Sequence, residues 1–297
     1  MLRFPVLFAN TEVFTARIMI EEAYQLVRPR GIGYAVADFS RACLIRLIDF
    51  PELPLRTNTH ETIKAGRTAL LVRTEFPVGD KLVPAAYKRV RRRNRWKVLT
   101  ALLRTNRLLR TWRLGRELLK RGIATPRPLA VVVPRAYDVG GEAFLAVEWI
   151  GNAQNLREFS ESIEQIAPQR RNRPLKQASV SLGRLIGRLH AANIAHRDLK
   201  ATNLLLRNRG PLGETYVIDL DGASLCRRLP WSRRLRNLSR LEISLAEFSG
   251  IGRTARRRFL EAYLDEFPEP RRDWKTLWRE LATISSALSA RKHHKAA

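Results

Sequence analysis

The 297-residue chain carries 55 Lys and Arg against 28 Asp and Glu, a formal charge of +27, and is 45% apolar. That is enough length and apolar content for two medium lobes or one large domain with its own core, and disorder is not the default reading. The charge favours an anionic partner, whether nucleic acid, an acidic membrane surface or a phosphorylated substrate, and Cys43 and Cys226 offer neither a disulfide framework nor a metal-ligand spacing, which points to a reducing compartment.

The segment Met1–Ile20 is interrupted by Glu12 and Arg17 and lacks a signal-peptide layout, and no apolar run reaches bilayer length, so a cytoplasmic protein is expected. Residues 1–55 read as an N-terminal extension without recognisable chemistry, with a helical pattern around Ile18–Val27 and a boundary at Pro51 and Pro54. From Thr57 the texture changes to short β-type runs, Ala69–Thr74 and Ala85–Val90, separated by Pro77, Gly79 and Pro84. A long basic helix is expected over Arg95–Arg121, stopped by Gly122 and followed by Pro126 and Pro128. Leu129–Val133 and Ala143–Ile150 then form a hairpin around Asp138-Val139-Gly140-Gly141. Val180, Leu182, Leu185, Ile186 and Leu189 recur at helical spacing up to about Asn193. Asn203–Leu206 and Thr215–Ile218 read as a second strand pair, and Leu235–Leu288 as mostly helical. The order predicts an α+β, bilobal protein-kinase-like fold: a small antiparallel-sheet N-lobe with one main helix over 56–150, and a helix-rich C-lobe over 151–297.

The chemistry concentrates in His196-Arg197-Asp198-Leu199-Lys200-Ala201-Thr202-Asn203, which follows an amphipathic helix and precedes a short apolar strand, the context of a kinase catalytic loop. Phosphoryl transfer needs an aligned nucleophile and neutralised phosphate charge. Asp198 is the carboxylate for the attacking hydroxyl, Lys200 meets the γ-phosphate, Asn203 offers an amide oxygen to Mg²⁺, and His196 packs beneath the loop. In Tyr216-Val217-Ile218-Asp219-Leu220-Asp221-Gly222 an acid ends an apolar strand. Asp219 is favoured as the metal ligand because it directly follows the buried run. Asp221 reads as a turn residue before Gly222, with a second-metal or supporting role left open.

In the first lobe, Lys88 lies within an apolar strand, and alternation turns only one of Lys88 and Arg89 inward. Its expected partner is Glu117, the sole acid between Asp80 and Asp138, which borders the apolar stripe beside Leu114 and Leu118; the plain alternative is an i,i+4 pair with Arg113 or Arg121. Gly66, in Lys64-Ala65-Gly66-Arg67-Thr68, is the candidate phosphate-covering turn. Glu148 and Ile150 stand where the lobe connector would offer backbone groups to adenine. ATP and Mg²⁺ are thus the expected nucleotide and metal.

Beyond these motifs the chain resembles the lipopolysaccharide kinase family, bacterial enzymes that phosphorylate inner-core sugars such as heptose or Kdo. The likeness rests on Tyr87-Lys88-Arg89, on Arg121-Gly122-Ile123-Ala124-Thr125-Pro126-Arg127-Pro128-Leu129-Ala130, on Asp198–Asn203 and Ile218–Gly222, and on Arg258-Phe259-Leu260-Glu261-Ala262-Tyr263-Leu264. It spans roughly residues 57–265 and implies Lys88, Glu117, Asp198, Asn203 and Asp219 as the nucleotide, metal and catalytic set, with an anionic glycolipid as acceptor. Arg197 and Lys200 are equally similar to a Ser/Thr protein kinase, but no Ala-Pro-Glu tripeptide follows Asp219 and the peptide platform is expected to be missing. Arg91, Arg92, Arg93, Arg95 and Lys97, ahead of Trp96, Leu99, Leu102 and Leu103, suggest a basic amphipathic element for anionic lipid or glycolipid at the inner membrane face. The rivals are a protein or small-molecule kinase of the same fold and a basic nucleic-acid-binding or scaffold protein. No aromatic-plus-basic RNA-reading module is present, so nucleic acid is not the expected partner.

Overall fold

The structure, a computed structural model, describes residues 22–294 except 57–60, 67–68, 91–105, 136–140, 208–212 and 268–272. Strands β1 (Ala23–Arg28) and β2 (Gly31–Val36) form a hairpin, and helix α1 (Arg41–Asp49) follows, its N-cap Ser40 Oγ accepting from the Cys43 N–H at 3.3 Å. Next come β3 (Glu61–Ala65), β4 (Ala69–Val78), β5 (Lys81–Val90), helix α2 (Arg107–Lys120), β6 (Pro128–Val133) and β7 (Ala143–Glu148). The strands make one seven-stranded antiparallel sheet in the order β1-β2-β6-β7-β5-β4-β3. Both faces of this sheet are covered, and alternation decides which residue goes where. Val132 packs with Leu44, Leu47 and Ile48 of α1 on one face. Its neighbours Val131 and Val133 pack with Leu108, Leu109 and Trp112 of α2 on the other. Helix α2 stops where Gly122, at φ +68°, donates to Leu119 O at 3.0 Å and Ile123 N–H reaches Leu118 O at 2.9 Å. These two bonds close the helix end, and glycine takes the left-handed turn without steric cost.

The second lobe contains β8 (Ala153–Asn155), α3 (Leu156–Gln165), α4 (Asn172–Ala191), β9 (Ile194–His196), β10 (Leu204–Arg207), β11 (Glu214–Val217), β12 (Ala223–Leu225), α5 (Trp231–Ser244), α6 (Arg253–Leu264) and α7 (Trp274–His294). Asn155 caps α3 in a reciprocal pairing with Glu158. The periodic Leu182, Leu185, Ile186 and Leu189 of α4 pack with Leu260, Tyr263 and Leu264 of α6, with Leu238 and Leu241 of α5, and with Leu277 of α7. Two small antiparallel ladders complete the lobe, β11-β10-β8 and β12-β9.

Several expectations change. The helix read around Ile18–Val27 is, in its described part, strand β1, because Tyr24, Leu26 and Arg28 alternate inward with period two. The described part of residues 1–55 is therefore built into the first lobe, whose described sheet begins at Ala23, with α1 packed on it beside the main helix α2. Pro77 and Pro84 lie inside β4 and β5, paired with Leu82 and Glu75 around the Gly79–Asp80 turn, and do not break the strands. Of the long basic helix only Arg107–Lys120 falls among the described residues. The Arg91–Leu103 amphipathic element and most of the Asp138–Gly141 turn lie outside them.

Candidate active site

Strand β9 delivers the catalytic loop from a fully buried anchor. His196 is buried, its backbone N–H donates to Asn237 Oδ1 of α5 at 2.8 Å, and its Nε2 is 3.3 Å from Ile218 O. Leu199 and Ala201 turn into the core, and the Ala201 N–H donates to Ser244 Oγ at 2.9 Å. This leaves Asp198 turned outward. Lys200 Nζ stands 2.9 Å from Asp198 Oδ2, and Asn203 Nδ2 donates to Asp198 O at 2.8 Å and Oδ2 at 3.3 Å. Partial burial raises the Asp198 carboxyl pKa, but the Lys200 hydrogen bond and charge, then Asn203, outweigh it and hold the group below the ordinary aspartate range.

The second acidic segment is stitched directly to this loop. The Ile218 N–H donates to Asn203 O at 2.9 Å and the Arg197 N–H to Gly222 O at 2.8 Å. A Cβ on Gly222 would meet Asp198 N at 3.2 Å and Asp198 Cβ at 3.3 Å, so the two segments touch backbone to backbone. Between them Asp219 adopts φ +54°, ψ +54°, a left-handed conformation that costs a β-carbon residue about 1 kcal/mol or more and persists where surroundings enforce it.

Lys88 reaches this segment from β5. Its ammonium lies 2.7 Å from Asp221 Oδ2 and 2.9 Å from Asp219 Oδ1. The two acids differ sharply: the Asp219 side chain is 41% exposed and that of Asp221 only 5%. Asp221 is further gripped by helix α2, with Thr111 Oγ1 donating at 2.8 Å and Arg107 at 3.2 Å. Burial raises the Asp221 pKa, while Lys88, Thr111 and Arg107 together pull it below the ordinary value. Burial likewise opposes the Lys88 charge, and Asp221 and then Asp219 overcome it, so the ammonium is held above the ordinary lysine value.

Two sequence-predicted clusters are thus assembled: Asp198, Lys200 and Asn203, and Lys88 with Asp219 and Asp221. Glu117 joins neither. Its carboxylate pairs with Arg121 at 2.8 Å along α2, the plain i,i+4 arrangement, and the acids beside Lys88 are Asp221 and Asp219. Arg89 points to the opposite face and pairs with Glu52 at 2.9 Å. Gly66 sits at the β3–β4 turn, its N–H donating to Ala69 O at 3.0 Å. Glu148 ends β7 with its N–H on Arg127 O at 2.8 Å, and Ile150 follows at the lobe connector. Thr111 and Arg107 were not singled out from the sequence. The available signal was a polar residue on the buried stripe of α2, between Leu108 and Gly115 at spacings of three and four.

For a hard divalent cation the segment supplies oxygen donors, the exposed Asp219 carboxylate and the Asn203 amide oxygen whose Nδ2 is committed to Asp198. Among the described residues no three His, Cys, Asp or Glu side chains gather into a cage. Few protein ligands suit Mg²⁺, which keeps waters and phosphate oxygens in its shell.

The profile of the lipopolysaccharide kinase (Kdo/WaaP) family matches residues 80–279. The chain is 32% identical over 168 residues to a 3-deoxy-D-manno-octulosonic acid kinase of Xylella fastidiosa (strain M12), covering 56% of this chain and 59% of that protein. It is 38% identical over 140 residues to a protein of the same description from Xanthomonas campestris pv. campestris (strain B100), covering 47% and 50%. The match thus spans about half the length of these curated relatives. A solved structure described as WaaP in complex with acyl carrier protein superposes with a TM-score of 0.56 at 22% identity, over 79% of this chain and 88% of that one. That likeness concerns the fold, which is the bilobal protein-kinase-like α+β architecture expected from the sequence. With the profile running from the β4–β5 turn into α7, across both acidic clusters, the chain belongs to the lipopolysaccharide kinase (Kdo/WaaP) family.

Proposed function

We propose that this protein is an ATP-dependent kinase that phosphorylates a hydroxyl of a lipopolysaccharide inner-core sugar, Kdo or heptose. The observation that carries the reading is the backbone contact of the two clusters, which joins a charge-stabilised carboxylate, Asp198, to an exposed acid, Asp219, and a half-buried lysine clamp. Asp198 orients the acceptor hydroxyl and takes its proton as the new oxygen–phosphorus bond forms and the bond to the ADP oxygen breaks. The Lys200 and Asn203 contacts favour its ionised form, the state that can accept the proton. Lys200, beside it, balances charge on the transferring phosphoryl group. Lys88 meets the α- and β-phosphates, its ammonium held in line by Asp221, which Thr111 and Arg107 hold in turn. Asp219 and Asn203 would hold Mg²⁺, which when bound supplies positive charge to the phosphate oxygens. Gly66 would let the β3–β4 turn approach the phosphates, and backbone groups at Glu148 and Ile150 would meet adenine.

The acceptor class has structural support as well. Only Ala223–Pro230 separate Gly222 from α5, and part of that stretch is strand β12, so little chain is left for a peptide-binding activation segment. Among the described residues no helix is long and apolar enough to cross a membrane. We take the enzyme to act at the inner membrane face by peripheral contact.

Turnover of γ-labelled ATP with Mg²⁺ tests this, comparing lipopolysaccharide core acceptors with a generic protein, wild type beside Asp198→Asn. Label on the glycolipid, lost in the variant, is expected. Label on protein alone would keep the kinase chemistry and discard the acceptor.

A further inference from the structure

The face of the first-lobe sheet that carries Lys88 also carries an arginine, Arg73, with no part in the contacts to Asp219 and Asp221. β4 and β5 pair Leu71 with Lys88 and Arg73 with Ala86, and β5 and β7 pair Lys88 with Leu145 and Ala86 with Val147. Residues directly opposite each other, and residues two apart on one strand, turn to the same face. Arg73, Ala86 and Val147 therefore share a surface with Lys88, while Leu70, Val72, Ala85 and Tyr87 turn to the side packed on α1. Lys88 marks the phosphate end of that surface by its bonds to Asp219 and Asp221. Arg73 lies toward the other end, where β7 runs out through Glu148 into the connector at Trp149.

The Arg73 side chain reaches across the sheet to that connector. Its guanidinium carbon stands 5.3 Å from the centroid of the Trp149 indole. The Trp149 N–H donates to Pro84 O at 2.8 Å, which pins the ring's own backbone to β5. Glu61 of β3 adds a loose, exposed ion pair to Arg73 at 3.6 Å, a weak restraint in open solvent. Because β5 lies between β4 and β7 in the sheet, the side chain spans from β4 past β5 to the residue that follows β7. Ala86 and Val147, on the same surface, are apolar and half-buried, and the single methyl of Ala86 leaves that surface recessed. Two residues along and one strand across put the Arg73 Cα about 8 Å from that of Lys88, which leaves room for a ribose between a base at one end and phosphates at the other.

We propose that Arg73 is the cover of the nucleotide base: held by the Trp149 ring, it lies over one face of the adenine whose edge meets the connector backbone at Glu148 and Ile150. The inference rests on the kinase reading above and adds to it the side chain that recognises the base. A guanidinium suits a purine face, because this planar and weakly hydrated cation stacks on aromatic rings, as it does here on the indole. Trp149 acts through Arg73 and is a positioning residue.

Calorimetric titration with the Mg²⁺ complexes of ATP and of tripolyphosphate, which has neither ribose nor base, separates the two ends of the pocket. Arg73→Ala is expected to weaken ATP about tenfold and to leave tripolyphosphate at its wild-type affinity. Trp149→Leu, which releases Arg73 without removing it, should weaken ATP severalfold and add nothing further in the Arg73→Ala background. The charge-matched control is Arg41→Ala, whose guanidinium lies 5.7 Å from the Tyr24 ring on the α1 side of the sheet; it should bind both ligands as the wild type does. Equal losses of ATP and tripolyphosphate in Arg73→Ala would reduce the effect to charge and overturn the cover. Additive losses in the double variant would overturn the role of Trp149 in holding Arg73. The kinase reading fails separately: a wild type that binds ATP through Arg73 yet transfers no label would sink that reading alone. Normal label transfer with unchanged ATP affinity in Arg73→Ala would sink the cover alone.

Discussion

The catalytic loop holds itself together over eight consecutive residues, whereas the clamp around Lys88 is drawn from elements far apart in the chain. Asp198 is bonded by Lys200 and Asn203, two and five positions away. Lys88 is bonded by residues 131 and 133 positions away, and Asp221 by Thr111 across 110. The loop's geometry follows from a short segment strapped to the second lobe's core. The clamp exists only when β5, α2 and the Asp219–Asp221 turn are brought together, so it reports whether the two lobes are docked. Chemistry placed on the first should fail alone; damage to the second should spread to nucleotide binding and stability.

The sharpest contrast comes from Asp198→Asn. Turnover should drop about a thousandfold, the scale of a lost general base, with nucleotide affinity and melting temperature near wild type. A large loss of thermal stability would mean the loop is not self-contained. Asp221→Asn should act the other way. Leaving Lys88 with one exposed partner in a largely buried position is expected to cost about 2 kcal/mol of stability and to weaken ATP binding together with turnover. The pH dependence carries the same signature. With its folded pKa below the ordinary 3.8, Asp221 contributes stability that is complete above that value and fades as pH falls through the lower, folded one. Acid melts of the wild type and Asp221→Asn should therefore differ by a constant amount above pH 3.8 and converge as the pH falls below it.

The same difference in sequence distance governs what could be read beforehand. The order of His196 to Asn203 is a local pattern with a local chemical reason, and the fold keeps those residues in contact. Lys88 was legible as a lysine in an apolar strand. Its partner was not, because Glu117 and Asp221 are both acids near an apolar run, and only the turn at Asp219 brings one of them to the ammonium. Likewise β1 reads as helix from sequence because its period-two alternation spans only six residues, and the face that Tyr24 and Leu26 turn to is supplied by α1, later in the chain. The anchors Asn237 and Ser244, polar residues on α5 that bond the catalytic loop, carry no spacing relation to it at all.

Thr111→Val gives a smaller effect at the joint between α2 and Asp221. Losing one hydroxyl donor to a carboxylate is worth about 1 kcal/mol. The KM for ATP should rise severalfold with kcat reduced less, and Thr111→Ser, which keeps the hydroxyl, should restore it. Equal defects in both variants would mean that packing of the methyl group, and not the hydrogen bond, positions the helix.

The smallest expected change is the most decisive for the clamp. Glu117 lies half-buried on α2 in a pair with Arg121, and such i,i+4 pairs contribute about 0.3–0.5 kcal/mol. Glu117→Gln should leave melting temperature, ATP affinity and turnover close to wild type. If α2 instead rotates during turnover to bring Glu117 to Lys88, the same substitution would cut activity about a hundredfold while stability stays unchanged, because the resting enzyme never uses that contact. A double-mutant cycle of Glu117→Gln with Thr111→Val separates the two cases. Additive effects mean that Asp221 is the acid of Lys88 throughout the cycle; strong coupling means that α2 alternates between holding Asp221 and delivering Glu117.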